Sequence, residues 1–440
     1  MLCRHPTLLS LIYFSILAAA CGSAHAIAAE TPVPRQADVK DQEQSDTTAA
    51  ANIDSAFRLL RAARAAAPES KAANVVISPW SLQSAFGMAA IGSQNQTQAE
   101  LAGYFGWSLN SPAMVNAFGD LGGQVKPTGK DGFALRTANR VWADRSVEFL
   151  PTYEQSLLRG FDATFGRADF ANTTAVAEMI NSWVSDATEK MIRQLVTPAA
   201  IPTRGMVLTN AVYFKGTWVN KFYESATKPT DFTLEGGKVV KAPLMHQFSS
   251  FSYNDVDGCQ IISLPYSGGA SMIVVLPPLP PSPPLPSDQS DSLQASPLAA
   301  LAAKLDGPWW IKAMATMRFA TVDFAMPKFS FEAQQRLGET LKKSGLPISF
   351  SDAADFSAMT GSASHQIADV IHAVKIDIDE KGTEAAAATA ITMKVTSVAA
   401  PRDPPKIITM HVKRPYLLAI RHDSTGQLLF LGTINDPRNR

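Results

Sequence analysis

Cysteine is nearly missing from these 440 residues: there are three, and Cys3 and Cys21 lie in or beside the N-terminal leader. Cys259 is then alone in the rest of the chain, so no internal disulfide can form and the fold must rest on its core. It sits in GCQIISLPY, an apolar strand-like run, which makes a buried, inert thiol the expectation. Neither sign of charge is in surplus, with 39 Lys and Arg against 39 Asp and Glu. That balance argues against a nucleic-acid partner, whose phosphates call for a basic surplus. The densest basic run is Lys342-Lys343, so no heparin-type site is evident. Long hydrophobic runs are also lacking, since the apolar stretch from Leu8 to Ala20 is too short to span a bilayer.

Catalytic signatures are missing as well. There is no Gly-x-Ser-x-Gly, His-Glu-x-x-His or Cys-x-x-Cys, and no phosphate-cradling glycine loop. The seven histidines, with His5 and His25 in the leader, fall at no metal-ligand spacing, so neither a metal nor a cofactor is expected. Asp377 and Asp379 look like paired carboxylates but alternate along the polar side of a strand, where solvated surface is the simpler reading. An enzyme is therefore not expected.

What is present is a core: 46% of the residues are hydrophobic, ample for one large domain. Ahead of it, Arg4 and His5 precede the short apolar run, as in an export leader. Ala24-His25-Ala26 fits signal-peptidase cleavage after residue 26; the alternative is a lipoprotein signal over residues 1–20, with Cys21 lipidated as the anchor. Either route predicts a secreted or extracytoplasmic protein, in the periplasm or at the cell surface. Residues 27–50 read as a flexible spacer, and residues 51–440 as a single domain with a Pro-rich insertion at 277–308.

Along the domain, a helix is predicted from about Asn52 to Ala66, with Ile53, Phe57 and Leu60 on one face. NVVISPWSLQSAFGMAAIGSQNQT, from Asn74 to Thr97, reads as a short strand followed by a buried helix. Ser78 would cap it, Pro79 would open it and Gly92 would end it. An amphipathic helix follows from Asn172 to Met191. Val207 to Phe214, in LTNAVYFKGTWVNKF, is near-continuously apolar, as a strand covered on both faces would be. Hairpins are predicted around Ser267-Gly268-Gly269 and Ser424-Thr425-Gly426, and another helix from Gln334 to Ser344.

The stretch around which the chain is organised is IDIDEKGTEAAAATAITMKVT, Ile376 to Thr396. Val374, Ile376 and Ile378 alternate with Lys375, Asp377 and Asp379, the period of a half-buried strand. The alternation stops at Glu380-Lys381-Gly382, and a tract of small residues follows. If that tract entered a sheet, Thr383, Ala385, Ala387 and Thr389 would share one face and fit without overpacking. Gly382 would be the hinge.

The run DEKGTEAAAATA resembles the reactive-centre-loop hinge of serpins, the serine protease inhibitors. Four further segments resemble that family in order: Asn74 to Thr97, Leu208 to Phe222, Met326-Pro327-Lys328-Phe329, and RPYLLAIRHDSTGQLLFLGTINDP from Arg414 to Pro437. The chain is thus identified as a serpin, an exported member of bacterial type, and the resemblance covers about residues 52 to 438. It implies a mixed α+β fold of about nine helices around three β-sheets, with an exposed reactive-centre loop.

The resemblance also implies a suicide-substrate inhibitor, trapped on a serine or cysteine protease as an acyl-enzyme while its cut loop enters the central sheet. A non-inhibitory serpin, acting as carrier or binding protein, is the alternative. It assigns the hinge to Glu380, Gly382, Thr383, Glu384, Ala385, Ala386, Ala387 and Ala388. Ser78, Ser81, Asn210 and His372 match the positions controlling sheet opening, with Trp218 where insertion begins. Family spacing from Glu380 puts the reactive bond at Thr396 and Ser397, which suits an elastase-like pocket. The segment from Ser397 to Pro415 is longer than usual, so Val395, Lys394, Met393 and the remoter Arg402 remain alternatives. A monomer is implied.

Overall fold

The computed structural model describes residues 36–67, 73–125, 132–202, 206–279, 296–363, 365–383 and 406–438, with side chains from Thr47 onward. Among them are ten α-helices and fifteen strands, the strands forming two sheets.

The strands are numbered in chain order. The smaller sheet runs β10 (Phe329–Arg336), β11 (Ile367–Ile378), β12 (Gly382–Thr383), β4 (Met206–Thr217), β2 (Ala134–Asp144), β3 (Phe165–Ala168). Strand β4 is buried from Met206 to Phe214 because both of its faces are covered, which explains the unbroken apolar run. On one face Val207 and Ala211, with Ile371 and Ala373 of β11, pack under Val176, Ile180 and Val184 of the Thr173–Ala187 helix. On the other face Leu208, Val212 and Phe214, with Val370, Val374 and Ile376, join the main core. The period of two therefore sends Asn210 and His372, polar residues inside apolar runs, inward toward that core.

The larger sheet runs β1 (Val75–Ile77), β15 (Leu428–Ile434), β14 (Tyr416–His422), β8 (Ala270–Leu276), β7 (Cys259–Tyr266), β6 (Val239–Val256), β9 (Arg318–Pro327), β13 (Ile408–His411), with β5 (Lys228–Thr233) also on β6. Strand β6 is 18 residues long: it pairs β5 near its start, β9 over most of its length and β7 at its end. The second and third sheets implied by the resemblance are continuous through it.

The Pro79–Ile91 helix lies between the layers and is buried at every position. Ser78 caps it by accepting from the Ser81 N–H, Pro79 opens it, and Gly92 closes it, as the sequence predicts. Both glycine-centred hairpins form in the predicted places.

Four expectations need correction. The first helix spans Gln36–Ala66 instead of starting near Asn52, so much of the expected spacer is helical. Thr48 and Ala49 are buried, and their packing extends the helix beyond its strongly apolar part. Within the expected insertion at 277–308, residues 296–308 include the Pro297–Lys304 helix and the start of the Gly307–Ala315 helix. Leu298, Leu301 and Leu305 are buried there, and Pro297 and Pro308 open the two helices, so this end of the segment is packed structure. Gln334 to Arg336 belong to β10, and only Gly338–Ser344 is helical. Finally, Lys215-Gly216, which follows the apolar run and reads in the sequence as its break, does not end β4: the strand continues to Thr217, because Gly216 and Thr217 keep partners in the sheet.

A candidate strand-insertion site in the six-stranded sheet

Strands β11 and β4 run parallel and pair directly from Ile367↔Met206 to Lys375↔Tyr213. Beyond Lys375 they part, and β12 occupies the gap. Thr383 stands opposite Ile378 of β11 on one side and Gly216 of β4 on the other, with Gly382 opposite Thr217. Both pairings are antiparallel. Gly382 and Thr383 are thus a short strand lying between two parallel neighbours.

The turn that delivers it is built from Asp379 to Gly382. The Asp379 carboxylate accepts from the backbone N–H groups of Lys381 at 2.8 Å and Gly382 at 3.0 Å, and its own N–H donates to the Gly382 carbonyl at 2.8 Å. Asp379 is therefore a turn-forming residue, not the solvated surface its alternation suggested. Gly382 has φ +154°, and a Cβ there would lie 2.0 Å from the Gly216 carbonyl oxygen, so only glycine fits.

Glu380 and Trp218 hold the turn from two sides. Glu380 is 5% exposed; its carboxylate accepts from Thr227 Oγ1 at 2.7 Å and pairs with Lys328 Nζ at 3.0 Å. Burial acts to raise this carboxyl, but those hydrogen bonds and the lysine charge outweigh it and hold the group below the usual glutamate range. Trp218 donates its indole N–H to the Asp379 carbonyl at 2.9 Å and its backbone N–H to the Lys381 carbonyl at 3.1 Å. Its ring stacks on Tyr266 at 4.1 Å, and the Tyr266 hydroxyl shares a 2.6 Å hydrogen bond with Thr383 Oγ1.

Lower in the same seam lies a polar network. His372 and Asn210 face each other in register on β11 and β4. His372 Nε2 accepts from the Ser78 N–H at 3.0 Å, which assigns the ring proton to Nδ1, donating to Asn210 Oδ1. The Asn210 amide donates to Ser81 Oγ and to Asn139 Oδ1, each at 2.6 Å. Ser81 Oγ donates to the same Asn139 oxygen at 2.8 Å. Ser78, Ser81, Asn210 and His372 are all at most 1% exposed. Burial holds His372 neutral by pushing its pKa down to about 3, against the raising effect of its bond to Asn210.

The structure therefore brings together all four residues assigned to sheet opening and sets Trp218 apart, at the mouth of the gap. Of the residues assigned to the hinge, Glu380 lies in the turn after β11, and Gly382 and Thr383 form β12. Glu384 and Ala385 to Ala388, Met393 to Ser397 and Arg402 lie outside the described residues, as does the leader with Cys21. Sequence reasoning missed Asn139, which pairs Asn210 in register from β2, and Tyr266, Thr227 and Lys328 around the hinge. A polar residue at an inward position of a strand was the available signal for Asn139; the others had none. Histidine spacing also missed a cluster, because His246, Asp323 and His411 converge from three different strands.

The chain matches the family model described as serpin (serine protease inhibitor) over residues 50–437. It is 30% identical over 378 residues to "Iripin-8" of Ixodes ricinus, covering 84% of this chain and 89% of that protein. It is 30% identical over 372 residues to the human "Leukocyte elastase inhibitor", covering 83% and 94%. Among solved structures, human thyroxine-binding globulin superposes with a TM-score of 0.75 at 26% identity, covering 90% of this chain and all of that one. The protein belongs to the serpin family. These relatives are eukaryotic and lend no support to the expected bacterial type.

Proposed function

We propose that the protein inhibits serine proteases as a suicide substrate. The observation that carries this reading is the placement of Gly382 and Thr383, already paired antiparallel between β11 and β4. A following strand in the same register would replace one parallel ladder with two antiparallel ones, the better-paired geometry. It would add a net ladder of a dozen or so hydrogen bonds, each contributing about 0.5–1.5 kcal/mol. Some fifteen inserted residues at roughly 3.3 Å each would carry a tethered protease about 50 Å. Loop insertion of this kind is strand addition coupled to strain release.

The protease serine would attack the carbonyl of Thr396, forming the acyl-enzyme and freeing the amine of Ser397. An elastase-like enzyme fits that small β-branched residue. Val395, Lys394 and Met393 are the neighbouring choices. The protein acts outside the cytoplasm as a monomer, freely exported or anchored through Cys21.

A second reading, as a carrier, is favoured by the superposition on thyroxine-binding globulin. Incubation with elastase, trypsin, chymotrypsin and subtilisin separates the two. A denaturant-resistant complex, with a released C-terminal peptide seen by mass spectrometry, is expected, and the peptide's first residue identifies the bond. Cleavage in the loop with no complex for any of the four would overturn inhibition.

A further inference from the structure

His246, Asp323 and His411 come from three adjacent strands of the larger sheet. Strand β9 lies in the middle: Ala325 is opposite His246 of β6 on one side and His411 of β13 on the other. Asp323, two residues earlier on β9, shares the face of Ala325. The three side chains therefore project together from one face, while Phe324, Met326 and Met410 fill the core on the other. The chain separations are 77 and 88 residues, so only the sheet could assemble them.

One nitrogen of each imidazole and a carboxylate oxygen all lie within 4.8 Å of one another. His246 Nε2 is 2.5 Å from Asp323 Oδ1, and His411 Nε2 is 3.2 Å from Asp323 Oδ2. The second contact is an ion-pair distance without hydrogen-bond alignment: His411 Nε2 is closed off from solvent and has no hydrogen-bond partner. A buried acceptor or donor left in this state costs stability unless something else engages it. The rings stand nearly perpendicular, at 77°, with both Nε2 atoms turned to the one carboxylate.

We propose that these three side chains form a binding site for a divalent transition ion of the zinc class. Two neutral imidazoles and one carboxylate are a ligand set for zinc, with bonds of about 2.0–2.2 Å and a fourth position left to water. Tetrahedral ligands at that distance are ~3.3 Å apart, so His246 and Asp323 need only separate slightly as the ion replaces the proton between them. Imidazole ligands disfavour magnesium and calcium, which take oxygen sets. The side chains of His246, Asp323 and His411 are 43%, 29% and 29% exposed, so the cluster lies near the surface although His411 Nε2 itself is covered. Because β13 is, among the described residues, the outer strand of the sheet with β9 as its neighbour, a bound ion would tie it to β9 and β6 together. Strand β13 follows directly on the segment 384–405.

The test is zinc titration of the full chain, against a competing chromophoric chelator, alongside the His246→Ala/His411→Ala double variant and Asp323→Asn. One ion per chain is expected to be lost in the double variant, with affinity at least tenfold weaker in Asp323→Asn. Cobalt should give tetrahedral visible bands in the wild type alone, and zinc should slow amide exchange at Ile408 to His411. His5 and His25 are common to both chains, so the difference isolates this site. A cooperative melt checks that each variant is folded; if the double variant unfolds, His411→Gln is used in its place. Zinc binding of equal stoichiometry and strength in wild type and a folded variant, or none in the wild type, would overturn the proposal.

Discussion

Asn210 and His372 stand opposite each other on two parallel strands, and the imidazole Nδ1–H meets the amide oxygen across the seam between them. This pair ties together the two strands that must separate if the loop is to insert. Ser78 and Ser81 at the start of the Pro79–Ile91 helix and Asn139 on β2 complete its hydrogen bonds.

Truncating one member should leave the others buried without partners. Asn210→Ala strands the His372 ring proton, Ser81 and Asn139, and should lower stability by about 1–3 kcal/mol. A shifted midpoint in urea unfolding, at unchanged slope, checks this; a midpoint within error of the wild type would contradict the network as drawn.

Acid should act on the same pair. His372 has a folded pKa of about 3 against an ordinary 6.5, so below 6.5 the unfolded chain binds a proton that the folded chain does not. Stability should therefore fall as pH drops through the window from 6.5 toward 3, by at most about 1.4 kcal/mol per pH unit from this group. His365 and His422 are also lowered by burial and add slopes of the same sign. Glu380, held below its ordinary value, contributes only as pH falls below about 4.5. Denaturant melts at pH 5 and 7.5 should show a smaller difference in His372→Gln than in the wild type. An identical difference would remove His372 from the account.

At the hinge, Thr383 is fully buried against Tyr266. Thr383→Arg would place a charge in that position and, on the proposed function, should leave the protein a substrate of the protease, with most encounters ending in cleavage. The number of inhibitor molecules consumed per protease inactivated should rise at least tenfold. Retention of efficient, stable trapping would refute insertion as the function of this tract.

Gly382→Ala tests the same place through the backbone. Its Cβ would collide with the Gly216 carbonyl, so the hinge should leave the gap, at a cost of about 1–3 kcal/mol. Faster amide exchange at Thr383, with little change at His372, is the expected signature.

Cys259 offers a control away from the seam. It is 3% exposed, and burial, reinforced by Asp257 and Asp255, pushes its thiol up to about 11. Thiol reagents at neutral pH should label it only on unfolding. Prompt labelling of the native protein would show the β6–β7 hairpin to be open.

Much of this was legible in the chain. The alternation around Val374 to Ile378, the capped helix after Ser78 and the covered strand at Val207 to Phe214 all appear where their patterns put them. The end of the strand at Glu380-Lys381-Gly382 was legible too, because the alternation stops there. Asp379 was misread because alternation tells which side a residue is on, not that the chain turns back over it three residues later. Local composition likewise hid the helix at Pro297–Lys304, whose buried leucines only show their purpose against a core.

By itself the sequence determined the elements and their faces, since periods of two and of 3.6 residues and cap chemistry are properties of near neighbours. The tertiary structure alone decided that β11 and β4 lie side by side in parallel, because their pairing needs a crossover that no local pattern specifies. That one adjacency brings Ser78 within 3.0 Å of His372 across 294 residues. It also opens the gap that Gly382 and Thr383 enter, and a gap between strands exists only once both strands are in place.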